Sequence, residues 1–237
     1  MIKVRYLFPL FLAFLGTTSY GFSLSSLFTS TTNSAPFDTS EWVAEEIRII
    51  NSQADNIDER VLKLGLTAYI NARHKGLDNK QLLTLIDYSK PSTERRLWVF
   101  DLKSNKVLFN TWVTHGRNSG NLVPTSFSNQ SGSLKSSLGV FLTQSSYQGG
   151  NGYSLRLNGL ERGINDNAYR RSIVIHGAWY ADPGIIKRYG QIGRSWGCPA
   201  VSPDTANSLI NTIKNNTLVV AYYPDQLWLK KSTFLAG

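Results

Sequence analysis

The chain has 237 residues, of which 41% are hydrophobic and 12% aromatic, enough to bury the core of one full domain and a smaller appendage. This composition excludes an intrinsically disordered chain. The formal charge of +9 favours anionic partners. No helix dense in lysine and arginine is predicted, which argues against nucleic acid as the partner.

The first residues have the pattern of a secretory signal. Lys3 and Arg5 precede an apolar run over residues 6–15, and small residues follow as far as Gly21. The run is too short to span a bilayer. We therefore predict a cleaved signal peptide over residues 1–21 and export to the periplasm or cell envelope. A membrane anchor, the alternative, requires that this signal stay uncleaved.

Residues 22–40 are rich in serine and threonine and predict a flexible linker. A helical N-terminal segment is predicted over residues 41–92. Its main helix has an apolar stripe at helical spacing, formed by Leu62, Leu66, Tyr69 and Ile70. A second, shorter helix is predicted to begin at Asp78, where Gln81 completes a cap, and to end before Pro91. It would bury Leu82, Leu85 and Ile86.

Residues 93–225 have the alternating, β-branched pattern of strands and predict a mainly β domain. The predicted strands cover residues 96–102, 107–115, 139–143, 153–157, 172–176 and 218–222. One helix begins at Ser202 and Pro203, and residues 226–237 are predicted as a C-terminal tail. The fold class is therefore α+β overall: a mainly β domain with an N-terminal helical layer and one helix after Cys198.

Cys198 is the single cysteine, so it cannot form an internal disulfide in a chain predicted to be exported. It is a buried apolar residue, an intermolecular link or a reactive thiol. A reactive thiol needs a base or a positive field to become a nucleophile near neutral pH. His176 ends a predicted strand and Gly177 follows it at once, which places the imidazole at the rim of the sheet. This pairing favours Cys198 as a nucleophile with His176 as its base.

The residues beside Cys198 predict how a substrate is held. Gly197 permits close approach of a substrate backbone. Pro199 has no N–H, so the oxyanion donors are expected to be the N–H of Cys198 with that of Gly197 or Trp196. Ser195 lies in a G-x-S-x-G pattern, but no histidine follows it, which argues against the serine-hydrolase elbow. We predict instead that Ser195 lines the cleft.

The other candidates are weaker. His115 also precedes a glycine, so a substrate-side role and a structural role are both open. Trp179 and Tyr180 are candidates for the cleft wall, with core packing as the alternative. The three histidines and one cysteine lack the spacing of metal ligands, so neither a metal nor another cofactor is predicted.

The segment around the cysteine resembles a known family. His176-Gly177 is followed by residues 193–201, which read G-R-S-W-G-C-P-A-V. This resembles the signature of the murein L,D-transpeptidases with a YkuD-like catalytic domain. The resemblance implies a β-sandwich-like domain in which Cys198 is the nucleophile and His176 is a base oriented by a backbone carbonyl. It also implies acylation by carbapenems.

The resemblance further implies a substrate. The cysteine attacks the carbonyl of the third residue of a peptidoglycan stem tetrapeptide and releases the terminal D-amino acid. An amine of a neighbouring stem peptide, or of an envelope protein, then takes the acyl group.

Two departures from the family pattern affect substrate binding and leave alternatives open. Trp196 stands where many members have a second histidine, and Pro199-Ala200 stands where many have arginine or asparagine. Arg194 is therefore our candidate for the substrate carboxylate, with Gly177 also on the substrate side. Hydrolysis of the same bond by an L,D-carboxypeptidase or endopeptidase, and a non-catalytic cell-wall-binding protein, are the alternatives.

Overall fold

A computed structural model describes residues 35–236. The predicted signal peptide and most of the predicted linker lie outside these described residues. Within them, no helix combines the length and the apolar character needed to cross a membrane.

Eight strands form one mixed sheet in the order β3-β2-β1-β8-β4-β5-β6-β7. The strands are β1 (Leu82–Asp87), β2 (Leu97–Asp101), β3 (Lys106–Thr111), β4 (Gly139–Gly149), β5 (Gly152–Gly159), β6 (Val174–Gly177), β7 (Ala200–Val201) and β8 (Leu218–Tyr222). The helices are α1 (Ser40–Asn51), α2 (Glu59–His74), α3 (Ile186–Tyr189), α4 (Pro203–Ile213) and α5 (Gln226–Lys231). The fold is mainly β with helices, as the sequence predicts.

The sheet buries apolar side chains on both faces, as strand β8 illustrates. Its Leu218 and Val220 belong to a cluster that includes residues of α1, α2 and α5, whereas Val219 and Ala221 belong to a cluster that includes residues of α4. Successive side chains of a strand point to opposite faces, so the two clusters lie on opposite sides of the sheet. The N-terminal helices therefore pack on the sheet face opposite to α4.

The helix predicted from Asp78 is wrong, because residues 82–87 form strand β1. This strand pairs with β2 and with β8, and every one of its side chains is buried. A strand that is covered on both faces loses the polar–apolar alternation, so its period cannot be told from that of a buried helix. Asp78 does bind backbone N–H groups, but those of Lys80 and Gln81 in a turn before the strand.

The predicted C-terminal tail contains helix α5. The Asp225 carboxylate accepts a hydrogen bond from the N–H of Trp228 at 2.8 Å and begins the helix. The Trp228 indole is buried, and its Nε1–H donates to Glu161 Oε2 at 3.0 Å. This part of the chain therefore contributes to the core.

Two short strands at the edge of the sheet position the candidate site. Strand β6 pairs in parallel with β7, with His176 opposite Ala200. The segment that holds Cys198 leads directly into β7.

The second predicted hairpin strand, residues 107–115, ends early at Thr111, and residues 112–116 leave the hairpin. There the N–H of Thr114 donates to the carbonyl of Ala200 at 2.9 Å, so this segment runs beside the cysteine.

Candidate active site

Cys198 lies in a half-buried position before β7, and its thiol is turned toward the backbone that precedes β6. The Sγ–H donates to the carbonyl of Ser172 at 3.5 Å, and Sγ accepts from the N–H of Val174 at 3.5 Å. Ser172 has a left-handed backbone conformation with φ of 54°, which is costly for a residue with a side chain. This turn presents a carbonyl to the thiol.

His176 is buried at the end of β6, and its ring is fixed by the backbone. Its Nδ1 lies 3.0 Å from the carbonyl oxygen of Gly177. Because a carbonyl only accepts, Nδ1 carries the proton and Nε2 keeps its lone pair. Within residues 35–236, Nε2 has no hydrogen-bond partner, and the imidazole makes no hydrogen bond to Cys198. The pairing of β6 with β7 brings the two residues to neighbouring chain segments.

Burial keeps both groups neutral. It raises the pKa of the Cys198 thiol, while the N–H of Val174 and the positive charge of Arg171 oppose this rise. Burial also lowers the pKa of His176, against the smaller effect of the Gly177 carbonyl. At neutral pH the pair is therefore a thiol and a neutral imidazole, and the imidazole is in the state required of a base.

Ser195 lies beneath the cysteine loop and not in a cleft wall. Its side chain is buried. Its hydroxyl donates to the carbonyl of Cys198 at 2.6 Å and accepts from the N–H of Gly197 at 3.0 Å. Its own N–H donates to the carbonyl of His115 at 2.9 Å. The structure therefore gives Ser195 the role of a brace that holds the backbone around Cys198.

Gly197 is required by the protein's own backbone. Its φ of 126° disfavours any residue with a side chain, and a Cβ would lie 2.8 Å from the carbonyl oxygen of Lys135. Its N–H is engaged by Ser195, so it is not available as an oxyanion donor. In the described part of the chain the N–H groups of Cys198 and Trp196 have no acceptor. Of the two predicted donor pairs, the geometry therefore favours Cys198 with Trp196.

A cavity of about 440 Å³ lies beside His176, and the residues after β6 form part of its wall. Gly177, Trp179 and Tyr180 all line it. Gly177 also packs against α4, because a Cβ there would lie 3.0 Å from the Cβ of Ala206. Trp179 is 72% exposed. Trp179 and Tyr180 therefore lie at the wall of a cavity.

Arg194 lies at a second cavity of about 440 Å³, which shares Trp179 and Tyr180 with the first and is also lined by Arg117. One guanidinium nitrogen of Arg194 donates to the carbonyl of Gly120 at 3.0 Å and to Asn121 Oδ1 at 2.7 Å. These acceptors are uncharged. Among the described residues, the other donors of this guanidinium have no partner, so its charge is available to a ligand.

His115 has the structural role and not the substrate-side one. Its side chain is fully buried. Its Nδ1 accepts from a guanidinium nitrogen of Arg96 at 2.8 Å, and its Nε2–H donates to the carbonyl of Gly120 at 3.3 Å. Burial, with the positive charge of Arg96, lowers the pKa of His115 to about 4. The ring is buried and both of its nitrogens have hydrogen-bond partners within the protein, which favours the structural role.

One residue that the sequence did not single out lies close to the thiol. Arg171 precedes the Ser172 turn, and its positive charge acts on the pKa of Cys198. The available signal was its place directly before the predicted strand that ends at His176.

The described residues contain no group of three or more histidine, cysteine, aspartate or glutamate side chains that could hold a metal ion.

Solved structures similar to this chain include L,D-transpeptidases, whereas no curated protein matches it. An L,D-transpeptidase from Mycobacterium smegmatis superposes with a TM-score of 0.37 and 15% identity, covering 60% of this chain and 59% of that structure. L,D-transpeptidase 1 from Mycobacterium tuberculosis superposes with a TM-score of 0.35 and 12% identity, covering 60% and 62%. The chain thus spans about six tenths of the length of these structures.

The family assignment rests on the sequence and not on these superpositions. A family model described as the L,D-transpeptidase catalytic domain (YkuD_2) matches residues 53–222, which is more than half of the chain. This range contains Cys198, His176 and the whole sheet. It confirms the resemblance found in the motif around the cysteine, and the chain therefore belongs to the L,D-transpeptidase catalytic domain family.

Proposed function

We propose that the protein is a peptidoglycan L,D-transpeptidase that acts on stem tetrapeptides. The observation that carries this proposal is the state of His176. Its Nδ1–H is held by the carbonyl of Gly177, which leaves the lone pair of Nε2 unused beside the segment of Cys198. Family membership then supplies the class of substrate.

The first half-reaction forms a thioester. Rotation of the Cys198 side chain away from the carbonyl of Ser172 brings Sγ toward His176, whose Nε2 takes the thiol proton. The sulfur attacks the carbonyl carbon of the third residue of the stem peptide. The oxyanion that forms accepts hydrogen bonds from the N–H groups of Cys198 and Trp196. As the C–N bond breaks, the imidazolium returns the proton to the departing D-amino acid.

The second half-reaction transfers the acyl group. The acceptor amine loses a proton to Nε2 of His176 and attacks the thioester carbonyl, and the sulfur leaves and regains a proton. The acceptor is the amine of a neighbouring stem peptide or of an envelope protein. Water can attack the same thioester, so the nature of the acceptor distinguishes a transpeptidase from a carboxypeptidase or endopeptidase.

Arg194 is suited to bind a carboxylate of the donor peptide. Its guanidinium has donors without partners among the described residues, and neighbouring Arg117 lines the same cavity. Guanidinium binds carboxylate through paired hydrogen bonds. The contact would replace the arginine or asparagine that many relatives carry after the cysteine and that Pro199-Ala200 cannot supply.

We also propose that the protein is exported to the periplasm or cell envelope. The support is the charged, apolar and small-residue pattern over residues 1–21 together with a substrate that is part of the cell wall. A secretion assay with the chain's own N-terminus tests this, and retention of the full-length chain in the cytoplasm would contradict it.

Intact-protein mass spectrometry after incubation with a tetrapeptide muropeptide tests the activity. We expect a tripeptide adduct on the native chain and none on Cys198→Ala, with cross-linked dimers among the products. His176→Ala should form the same adduct much more slowly. An adduct with tripeptide as the sole product would change the assignment to a hydrolase. The absence of both adduct and product would leave a non-catalytic wall-binding protein.

A further inference from the structure

Backbone groups of the turn that leads into β6 contact the thiol of Cys198 from one side. The carbonyl of Ser172 accepts from Sγ of Cys198, and the N–H of Val174 donates to the same atom. Arg171 directly precedes this turn and is half-buried. Its backbone position is thus fixed by the same segment that contacts the sulfur.

The guanidinium of Arg171 reaches from this turn to the loop over residues 126–137, which we name the serine loop. One terminal nitrogen donates to the carbonyl of Ser128 and to Oγ of Ser137. The other donates to Oγ of Ser133 at 3.1 Å and to the carbonyl of Lys135 at 2.7 Å. All four acceptors are uncharged, and among the described residues no carboxylate pairs with Arg171.

The serine loop in turn packs against the residue before the cysteine. The carbonyl oxygen of Lys135, which Arg171 holds, lies 2.8 Å from the position a Cβ on Gly197 would take. The hydroxyl of Ser136 donates to the carbonyl of Gly197 at 3.3 Å. Arg171 therefore joins both backbone segments that enclose Cys198.

The guanidinium of Arg171 carries a positive charge that acts on the pKa of the thiol. Its effect opposes the rise that burial causes in the pKa of Cys198. Tyr180 and Tyr88 also interact electrostatically with Cys198, and both are uncharged at neutral pH, because burial raises the pKa of Tyr180 and raises that of Tyr88 to about 12. Burial lowers the pKa of His176, so its imidazole is neutral as well. On the serine loop, the ammonium of Lys135 is bonded to Oγ of Ser126 at 2.6 Å.

We propose that Arg171 is a positioning residue for Cys198: its guanidinium holds the serine loop against Gly197, and its unpaired positive charge stabilises the thiolate that forms during attack. The inference rests on the proposed function in that it takes Cys198 as the nucleophile. Among the described residues no carboxylate cancels this charge, because the guanidinium contacts only neutral oxygens.

The test is the pH dependence of the rate at which iodoacetamide alkylates Cys198 in the full chain, with mass spectrometry as the readout. Arg171→Gln should raise the midpoint of the titration by about one pH unit, as expected for loss of a nearby opposite charge. Arg171→Lys, which keeps the charge without the planar fork, should restore most of the native midpoint. Arg170→Gln removes the exposed charge of the preceding residue and should leave the midpoint unchanged.

A lower alkylation rate at every pH with an unshifted midpoint in Arg171→Gln would overturn the electrostatic role and leave only the hold on the loop. Should Arg171→Gln fail to fold, by circular dichroism, Arg171→Lys decides alone: a midpoint near the native one supports the proposal, and a rise of a full unit overturns it. Alkylation uses no stem peptide. A muropeptide that forms no adduct would therefore contradict the proposed function without affecting this result.

Discussion

Replacement of Ser195 by alanine separates a residue that braces the loop from one that contacts substrate. The Ser195 hydroxyl accepts from the N–H of Gly197 at 3.0 Å and donates to the carbonyl of Cys198 at 2.6 Å. In Ser195→Ala the buried N–H loses its acceptor, which costs about 1–3 kcal/mol. The carbonyl of Cys198 keeps a second donor, the hydroxyl of Thr114 at 3.3 Å, so its loss is smaller.

We therefore expect Ser195→Ala to lower the free energy of unfolding by about 2 kcal/mol and the melting temperature by roughly 4–8 °C. Urea and thermal unfolding of the full chain measure both quantities. Ser208→Ala is the matched control, because its hydroxyl bonds the backbone on the exposed surface of α4. It should change the stability by less than about 0.5 kcal/mol.

The same variant should also form the Cys198 adduct more slowly, because the loop that holds the sulfur is no longer fixed. A variant with native stability and native adduct formation would refute the brace. Native stability with complete loss of the adduct would place the Ser195 hydroxyl in contact with the substrate instead.

Four further predictions address other parts of the chain. The folded chain disfavours protonated His115, whose pKa is lowered from 6.5 to about 4. Its contribution to stability is therefore full above pH 6.5 and falls by about 3 kcal/mol toward pH 4, and urea unfolding of His115→Gln should show a flatter dependence on pH. Trp228→Ala should cost about 3–5 kcal/mol in the same assay, because the indole is buried in the core. Gly177→Val should cost about 1–3 kcal/mol, since its Cβ would press on Ala206 of α4. A carbapenem should add its mass to the native chain and not to Cys198→Ala, and an adduct on both would place the acylation elsewhere.

Elements with adjacent β-branched residues or with a proline in the first helical turn could be predicted from the sequence. The strand over residues 218–222 and the helix that begins at Pro203 both occur where their patterns indicate. Strand β1 could not be identified, because it is buried on both faces like β8 but is rich in leucine, which favours helices, whereas β8 has adjacent valines that favour strands. The C-terminal helix was missed because a six-residue segment gives too few turns for a helical period to be recognised.

The candidate pair could be predicted because its signals are local. A histidine before a glycine at a strand end and a cysteine after a glycine are visible in a few residues. The roles of Ser195 and His115 depend on partners brought together by folding, such as Arg96, whose guanidinium reaches the His115 ring. No spacing in the sequence gives such a contact. The contacts by which the serine loop joins Arg171 to Gly197 could not be predicted from the sequence for the same reason.

The balance of burial and charge at Cys198 fits a single cysteine in the compartment that we propose. Oxidants attack the thiolate and not the thiol, so burial, which raises the pKa of Cys198, protects the sulfur between turnovers. The same burial would make the thiol a poor nucleophile if nothing opposed it. In the mechanism that we propose, the positive charge of Arg171 opposes this effect, and Nε2 of His176 takes the proton once the Cys198 side chain turns. This proposal activates the sulfur when it leaves the Ser172 carbonyl for the base, and it keeps the thiol protected while that contact holds.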